Sequence, residues 1–406
     1  MQHVSWSRSA NIYEVNVRQY TPEGTLNAFA AHLPRLQQMG VDILWLMPIH
    51  PIGKLKRKGK LGSYYAVSDY KAINPEFGKL KDFKALVQQA HELGMKVIID
   101  WVANHTAWDH EWVKQHPEWY LKNDKGQIQS YRYDNGTEVE DWTDVVGLDY
   151  SQKTLWTAMI QAMQYWVKET DIDGFRCDVA HLLPLKFWQQ ARAKLDAQKP
   201  MFMLAESDDA HLHDAAFDMT YDWALQDVLK KIAKGQADVR DLKAYLASAA
   251  NALPADGYRM TFTANHDTNS WHNHDAGHFG DAFAAMAVIA ATFPGMPLVY
   301  GGQESGLNKM LQFFEKDTID WQNFKHEKLY AHLLAMKKKH PALHNGASGA
   351  PVEVFDVENH HVLAFRRQKG IDVVSVQVNM SGQNQSFNLH GKPRKLGAWE
   401  FQIQTS

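Results

Sequence analysis

The chain has almost no cysteine: Cys177 is the only one among 406 residues. No disulfide can form within it, which fits a reducing compartment. Cys177 sits on an apolar stretch beside an aspartate and reads as a small buried filler rather than a reactive thiol. There is no excess of charge of either sign. Lys and Arg number 43 against 46 Asp and Glu, a net charge of −3, so no basic field points to nucleic acid. No stretch approaches the roughly 20 consecutive apolar residues of a membrane helix. The first residues lack a charged head followed by an apolar run, so the expected location is the cytoplasm, or outside the cell if a leader has been removed. There is no low-complexity tract and no short internal repeat.

What is abundant is tryptophan, 14 residues, within an aromatic share of 12%. Flat indole faces suit sugar rings, and large cores use them equally well. Hydrophobic and charged shares of 45% and 22% are those of an ordinary globular protein with room for a large core.

Apolar runs of strand length recur along most of the chain. They are Ile12–Val17, Ile43–Pro48, Val97–Asp100, Gly174–Asp178, Phe202–Glu206, Phe217–Tyr221, Met260–Asn265 and Pro297–Tyr300. Amphipathic helical patterns fall between most of them: Leu26–Met39, Leu80–Leu93, Thr154–Val167, Phe187–Leu195, Asp238–Ala252 and Asp281–Thr292. This alternation predicts an α/β fold, a closed (β/α)8 TIM barrel rather than an open sheet. Two connections are unusually long. Ile49–Phe77 is one. The other, 106–150, is polar, aromatic and rich in turns such as Asn123–Gly126 and Asn135-Gly136, and predicts a subdomain inserted after the third strand. Past residue 340, short alternating runs at His361–Arg366 and Asp372–Val378, with a turn at Ser381–Asn384, predict a C-terminal antiparallel β-sandwich. The expected organisation is barrel over 1–105, insertion over 106–150, barrel over 151–340 and sandwich over 341–406.

The chemistry-bearing residues cluster at strand ends. Asp100–His105, Arg176 and Asp178, Glu206, and Asn265-His266-Asp267 each close an apolar run. The C-terminal rim of such a barrel is where its chemistry resides. Any one of these acids alone reads as a salt bridge or a cap. Together, three acids and two histidines on one rim fit the cleavage of an acetal, which needs one ionised carboxylate and one carboxylic acid. Arg176, two residues before Asp178 and on the same face, would keep Asp178 charged as a nucleophile. Glu206 follows the apolar run Met201–Ala205, which suits an acid/base whose pKa is raised by burial. Asp267, His105 and His266 could hydrogen-bond sugar hydroxyls. A metal site would use the same residue types, although Arg176 beside Asp178 would repel a cation.

On these residues the sequence resembles the α-amylase superfamily, glycoside hydrolase family 13. The resemblance runs from Ile12-Tyr13-Glu14 to the C-terminal tail. It rests on four ordered motifs: Asp100–His105, Gly174–Asp178, Ala205-Glu206 and Asn265-His266-Asp267. It implies a retaining mechanism through a covalent glycosyl intermediate. Asp178 would be the nucleophile, Glu206 the acid/base and Asp267 the third essential acid, with Arg176, His105 and His266 in the sugar site. Gly62–Tyr70 resembles the segment whose tyrosine stacks on the cleaved sugar, and Tyr65 matches it better than Tyr64.

Two departures stand out. Relatives that clip chain ends or cleave α-1,6 links often carry an aspartate after that tyrosine. This chain has Ala66, which favours an open cleft and internal cleavage. Relatives that bind calcium use an Asn like Asn104 and an Asp where this chain has Gly147, so a structural calcium is not expected there, and no cofactor is required for the chemistry. The implied function is hydrolysis of internal α-1,4 bonds of starch or maltodextrins. The alternatives are a cyclomaltodextrinase-like enzyme, a 4-α-glucanotransferase, or a non-catalytic glucan-binding or assembly module. The last kind usually loses one of the acids, and all three are present here. The expected partner is an α-glucan, with neither nucleic acid nor membrane.

Overall fold

The computed structural model describes residues 3–134 and 136–406. Eight parallel strands close on themselves: β1 (Ile12–Val15), β2 (Ile43–Leu46), β3 (Lys96–Trp101), β4 (Gly174–Cys177), β5 (Phe202–Ala205), β6 (Met219–Tyr221), β7 (Tyr258–Thr261) and β8 (Met296–Tyr300). Each pairs with its neighbour in sequence, and β8 returns to β1. All eight lie within or beside the runs expected from the sequence.

Alternation along each strand builds two apolar layers. Ile12, Ile43, Trp45, Ile98, Leu204, Tyr221 and Met260 fill the barrel interior. Their neighbours Tyr13, Leu44, Val97, Ile99, Phe175 and Met203 face outward, into the core beneath the helices. Gly174 opens β4 where no side chain fits, because a Cβ there would lie 2.0 Å from the Phe202 carbonyl oxygen.

The helical layer is less regular than the sequence suggests. The pattern Leu26–Met39 forms two helices, Leu26–Ala30 and Leu33–Met39. Pro34 has no N–H to give the preceding turn, so a continuous helix is broken there. Between β5 and β6 there is only a short 3-10 turn, Ala210–His213. Two helices of more than ten residues lie outside the expected set, Trp223–Ala233 and Glu327–Lys339. The helix Phe283–Thr292 is apolar on every side and buried except at Ala284.

The long connection after β3 carries a three-stranded antiparallel sheet of His105–Ala107, Ser130–Asp134 and Val139–Gly147, with the last strand in the middle. Of the turns expected in it, Asn123–Gly126 closes with Gly126 N–H donating to the Asn123 carbonyl at 2.8 Å. The Asn135-Gly136 turn falls in part outside the described residues, at Asn135. The tail forms a four-stranded antiparallel sheet of Glu353–Phe355, Val362–Lys369, Asp372–Asn379 and Phe401–Thr405. The hairpin Gln385–Leu389 and Lys392–Leu396 packs over it through Phe387 and Leu396 against Val362 and Ala364.

Arg367 ties this sheet to the barrel. Its buried guanidinium donates to the carbonyls of Thr292 (3.0 Å), Phe293 (3.1 Å) and Ala350 (2.8 Å). Phe365 packs edge-on against Phe293, with ring centroids 5.4 Å apart. Arg367→Ala would leave these carbonyls unsatisfied in the interior. It is expected to cost about 3 kcal/mol, read as a lower midpoint of urea unfolding.

Candidate active site

The barrel register sets the site. Asp100 on β3 lies beside Arg176 on β4, and Cys177 lies beside Ala205 on β5. The next residues of β4 and β5, Asp178 and Glu206, therefore leave the rim at the same height. Asp178 N–H donates to the Trp101 carbonyl and Glu206 N–H to the Cys177 carbonyl, both at 3.0 Å.

Arg176 is fully buried and sits among three acids. One terminal nitrogen lies 2.9 Å from Asp100 and 2.9 Å from Asp178. The other lies 3.0 Å from Glu206 Oε1, close in charge but not aligned for a hydrogen bond. Nε donates to the Tyr221 hydroxyl at 3.0 Å, and the plane rests over Trp45, 5.1 Å from its ring centre. Asp100 is further fixed by Trp45 Nε1 (3.2 Å) and the Tyr65 hydroxyl (3.0 Å).

A second charged chain approaches from β1 and β7. His266 Nδ1 is 2.5 Å from Glu14, and its Nε2 is 3.3 Å from Asp267 and 2.8 Å from the Tyr65 hydroxyl. Burial opposes charge on His266, but Asp267 and Glu14 outweigh it and push the ring well above its ordinary pKa. The converse holds for Asp267: burial raises it, yet His266 and Arg176 hold it down at about 2. His105, buried against Trp142 without a carboxylate partner, is pulled down to about 4 and is neutral.

Asp178 behaves differently from the expectation. Burial, then the Glu206 charge, push its carboxyl well above the ordinary range, and Arg176 offsets only part of this. The sequence placed the upward push on Glu206. In the structure Asp178 is raised, because this residue is buried and faces the Glu206, Asp100 and Asp267 charges at once, while one guanidinium is divided among three acids. Such acids titrate together rather than singly.

Some contributors were not visible in sequence. Val179 adopts φ 38°, a left-handed conformation rare for a β-branched residue. That turn aims its N–H at Glu206 Oε2, 2.7 Å away. Glu14 and Trp45 act from β1 and β2 on groups of other strands. The spacing of a Glu or a Trp inside an apolar strand was the only available signal.

Tyr65, His105, Asp178, Glu206, His266 and Asp267 all line one cavity of about 820 Å³. Arg176 lies directly beneath it. Tyr64 turns away and packs under Arg18, 4.2 Å from its ring centre. Ala66 is buried with Ile52, Ala107 and Val145 in an apolar cluster.

The residues at the junction of barrel and insertion do not fit a hard cation. Gly147 backs onto Tyr131 and Leu121, whose side-chain atoms lie 2.6 and 2.9 Å from where a Cβ would stand. The Asn104 side chain is engaged by Tyr131 and by His105. Among the described residues, no group of three or more His, Cys, Asp or Glu is placed to hold a metal ion. No helix among them is long and apolar enough to cross a membrane.

The α-amylase catalytic-domain model matches residues 6–342. The chain belongs to the α-amylase family. Among solved structures of the family, an α-amylase from Lactobacillus plantarum superposes with a TM-score of 0.87 at 31% identity, covering 99% of this chain and 100% of that one. A maltogenic α-amylase from Thermotoga neapolitana gives 0.85 at 31% identity, covering 98% and 96%. Among curated relatives, an α-1,4-glucan:maltose-1-phosphate maltosyltransferase from Rhodospirillum rubrum is 29% identical over 91% of this chain and 56% of its own length. An α-amylase from Haloarcula japonica is 26% identical over 95% of this chain and 57% of its own. The chain thus spans little more than half the length of these two curated relatives.

The raised Asp178 has a measurable consequence. Its carboxyl ionises at higher pH in the folded than in the unfolded chain. Stability therefore falls as pH rises through that window, and the loss persists at neutral pH. Asp178→Asn should stabilise the protein by about 1 kcal/mol at pH 7, with the gain fading below the ordinary carboxylate range, as followed by thermal unfolding at a series of pH values. Asp100→Asn removes one charge that raises Asp178 and frees Arg176. It should move the acid limb of kcat/KM to lower pH.

Proposed function

We propose that this protein is a retaining glycoside hydrolase that cleaves internal α-1,4-glucosidic bonds of starch or maltodextrins. The observation that carries this reading is the pair of carboxyls on neighbouring strands, Asp178 and Glu206, held against one buried guanidinium. A retaining pair is separated by roughly 5–5.5 Å, and attachment to the two ends of one guanidinium is compatible with that spacing.

In the reactive state the shared proton resides on Glu206 and Asp178 is ionised beside Arg176. Asp178 attacks the anomeric carbon while Glu206 gives its proton to the departing glycosidic oxygen, and the C–O bond to the leaving sugar breaks. Glu206, now a carboxylate, takes a proton from water. The resulting hydroxide equivalent attacks the same carbon and frees Asp178. Asp267, ionised at about 2, accepts hydrogen bonds from sugar hydroxyls as charge develops on the ring. Charged His266 and neutral His105 donate to others, and Tyr65 supplies the ring beneath the sugar. No step needs a metal.

The apolar surroundings of Ala66 support internal cleavage, since no acid stands there to grip a terminal glucose. A second reading has one specific support: several of the matched relatives are named maltosyltransferases. In that reading a sugar hydroxyl replaces water in the second step.

Glu206→Gln is expected to lower turnover on soluble starch by at least about 10³-fold with the fold intact; a near-normal rate would remove the assignment. Chromatography of products from amylose, maltotriose, pullulan and β-cyclodextrin separates the two readings. Maltotriose converted to longer chains indicates transfer. Treatment with EDTA should leave both rate and thermal midpoint unchanged, following from the fit of Tyr131 against Gly147.

A further inference from the structure

We propose that Trp271 is a specificity-determining platform that seats the second glucosyl unit on the glycone side, so that the enzyme works on units of two or more glucoses. The inference rests on the α-glucan reading above and deepens it. Trp271 is 51% exposed, unusual for an indole, and it lines the same cavity as the acids. Its ring is backed by Phe313, centroids 4.9 Å apart, and by Phe314 at 5.8 Å. Phe313 in turn lies nearly parallel to Tyr65, at 9° and 6.3 Å. Tyr65, Phe313 and Trp271 therefore make a continuous aromatic ramp leading outward from the place of the cleaved sugar.

The direction of the ramp follows from the chemistry. Glu206 must face the leaving oxygen, so the leaving half lies toward the loop after β5, where Ser207 to Asp209 line the cavity. Trp271 and Phe313 rise from the loops after β7 and β8, across the barrel from β4 and β5. They stand on the opposite half, where the retained sugars extend.

The platform is also rigidly placed. Asp267 and Trp271 belong to one tight stretch, the π-helical turn Thr268–His272 that directly follows Asp267. Buried Asn269, on that turn, donates to the Lys309 carbonyl (3.0 Å) and accepts from Leu311 N–H (2.9 Å). It thereby fixes the loop carrying Phe313 to the loop carrying Trp271. An aromatic face held at a set distance from the catalytic acids measures off one further ring.

The test compares kcat/KM for 4-nitrophenyl α-glucoside and 4-nitrophenyl α-maltoside in the wild type, Trp271→Ala, Trp271→Phe and Trp271→Leu. The wild type should prefer the maltoside. Trp271→Ala should lose about five- to tenfold on the maltoside, the size of one stacking contact, chiefly in KM, and much less on the glucoside. Trp271→Phe should retain most of the preference, whereas Trp271→Leu, which has no flat face, should lose it and covers the case in which the alanine variant is poorly folded. From maltoheptaose, Trp271→Ala should release a larger fraction of free glucose. An unchanged maltoside-to-glucoside ratio in Trp271→Ala and Trp271→Leu, or a wild type without preference, overturns the platform. A wild type inactive on both glycosides and on starch overturns the α-glucan reading instead.

Discussion

One guanidinium against three carboxylates is the constraint on which the site depends. Arg176 is buried between Trp45 and Tyr221 and could not be charged there without acids around it. Asp100, Asp178 and Glu206 could not share so small a volume without Arg176. The positive group is outnumbered, so the excess negative charge remains as a property of the folded chain. The barrel tolerates it because eight strands paired in a closed ring hold the rim whatever its charge.

The same imbalance separates the acids into roles. Asp267 has its own cation, His266, which is in turn anchored by Glu14 on the far strand, and it stays ionised. Asp178 has only a share of Arg176 and is pushed the other way. Two aspartates of identical chemistry thus differ because of which strands face them. Val179 adds a contribution of another kind: a backbone forced into the left-handed region to bring one N–H onto Glu206. Strain of this sort persists only where the surrounding structure over-determines it.

The eight strands were legible because β-branched and aromatic runs of four to six residues, bounded by turns, have few other uses in a chain of this length. The acids were legible because each stands at the end of such a run. Helix boundaries were less so: Leu26–Met39 has the right periodicity, yet one proline divides it, and Trp223–Ala233, capped by Asp222, follows the strand Met219–Tyr221 with no loop between them to mark the change. The location of the raised carboxyl was not legible at all. It depends on the charges of β3, β5 and β7 converging on Asp178, which no local stretch of sequence reveals. The tryptophans show the same limit. Trp45, Trp101, Trp166 and Trp188 are fully buried, whereas Trp142, Trp223 and Trp271 border the cavity, and composition alone does not sort them.

The helix Phe283–Thr292 has no face suited to water, and Arg367 and Phe365 of the tail sheet close over its end. The C-terminal sheet is therefore a lid on the core between strands and helices rather than an appendage. Shortening the protein to its matched catalytic segment would uncover greasy surface with nothing to replace it.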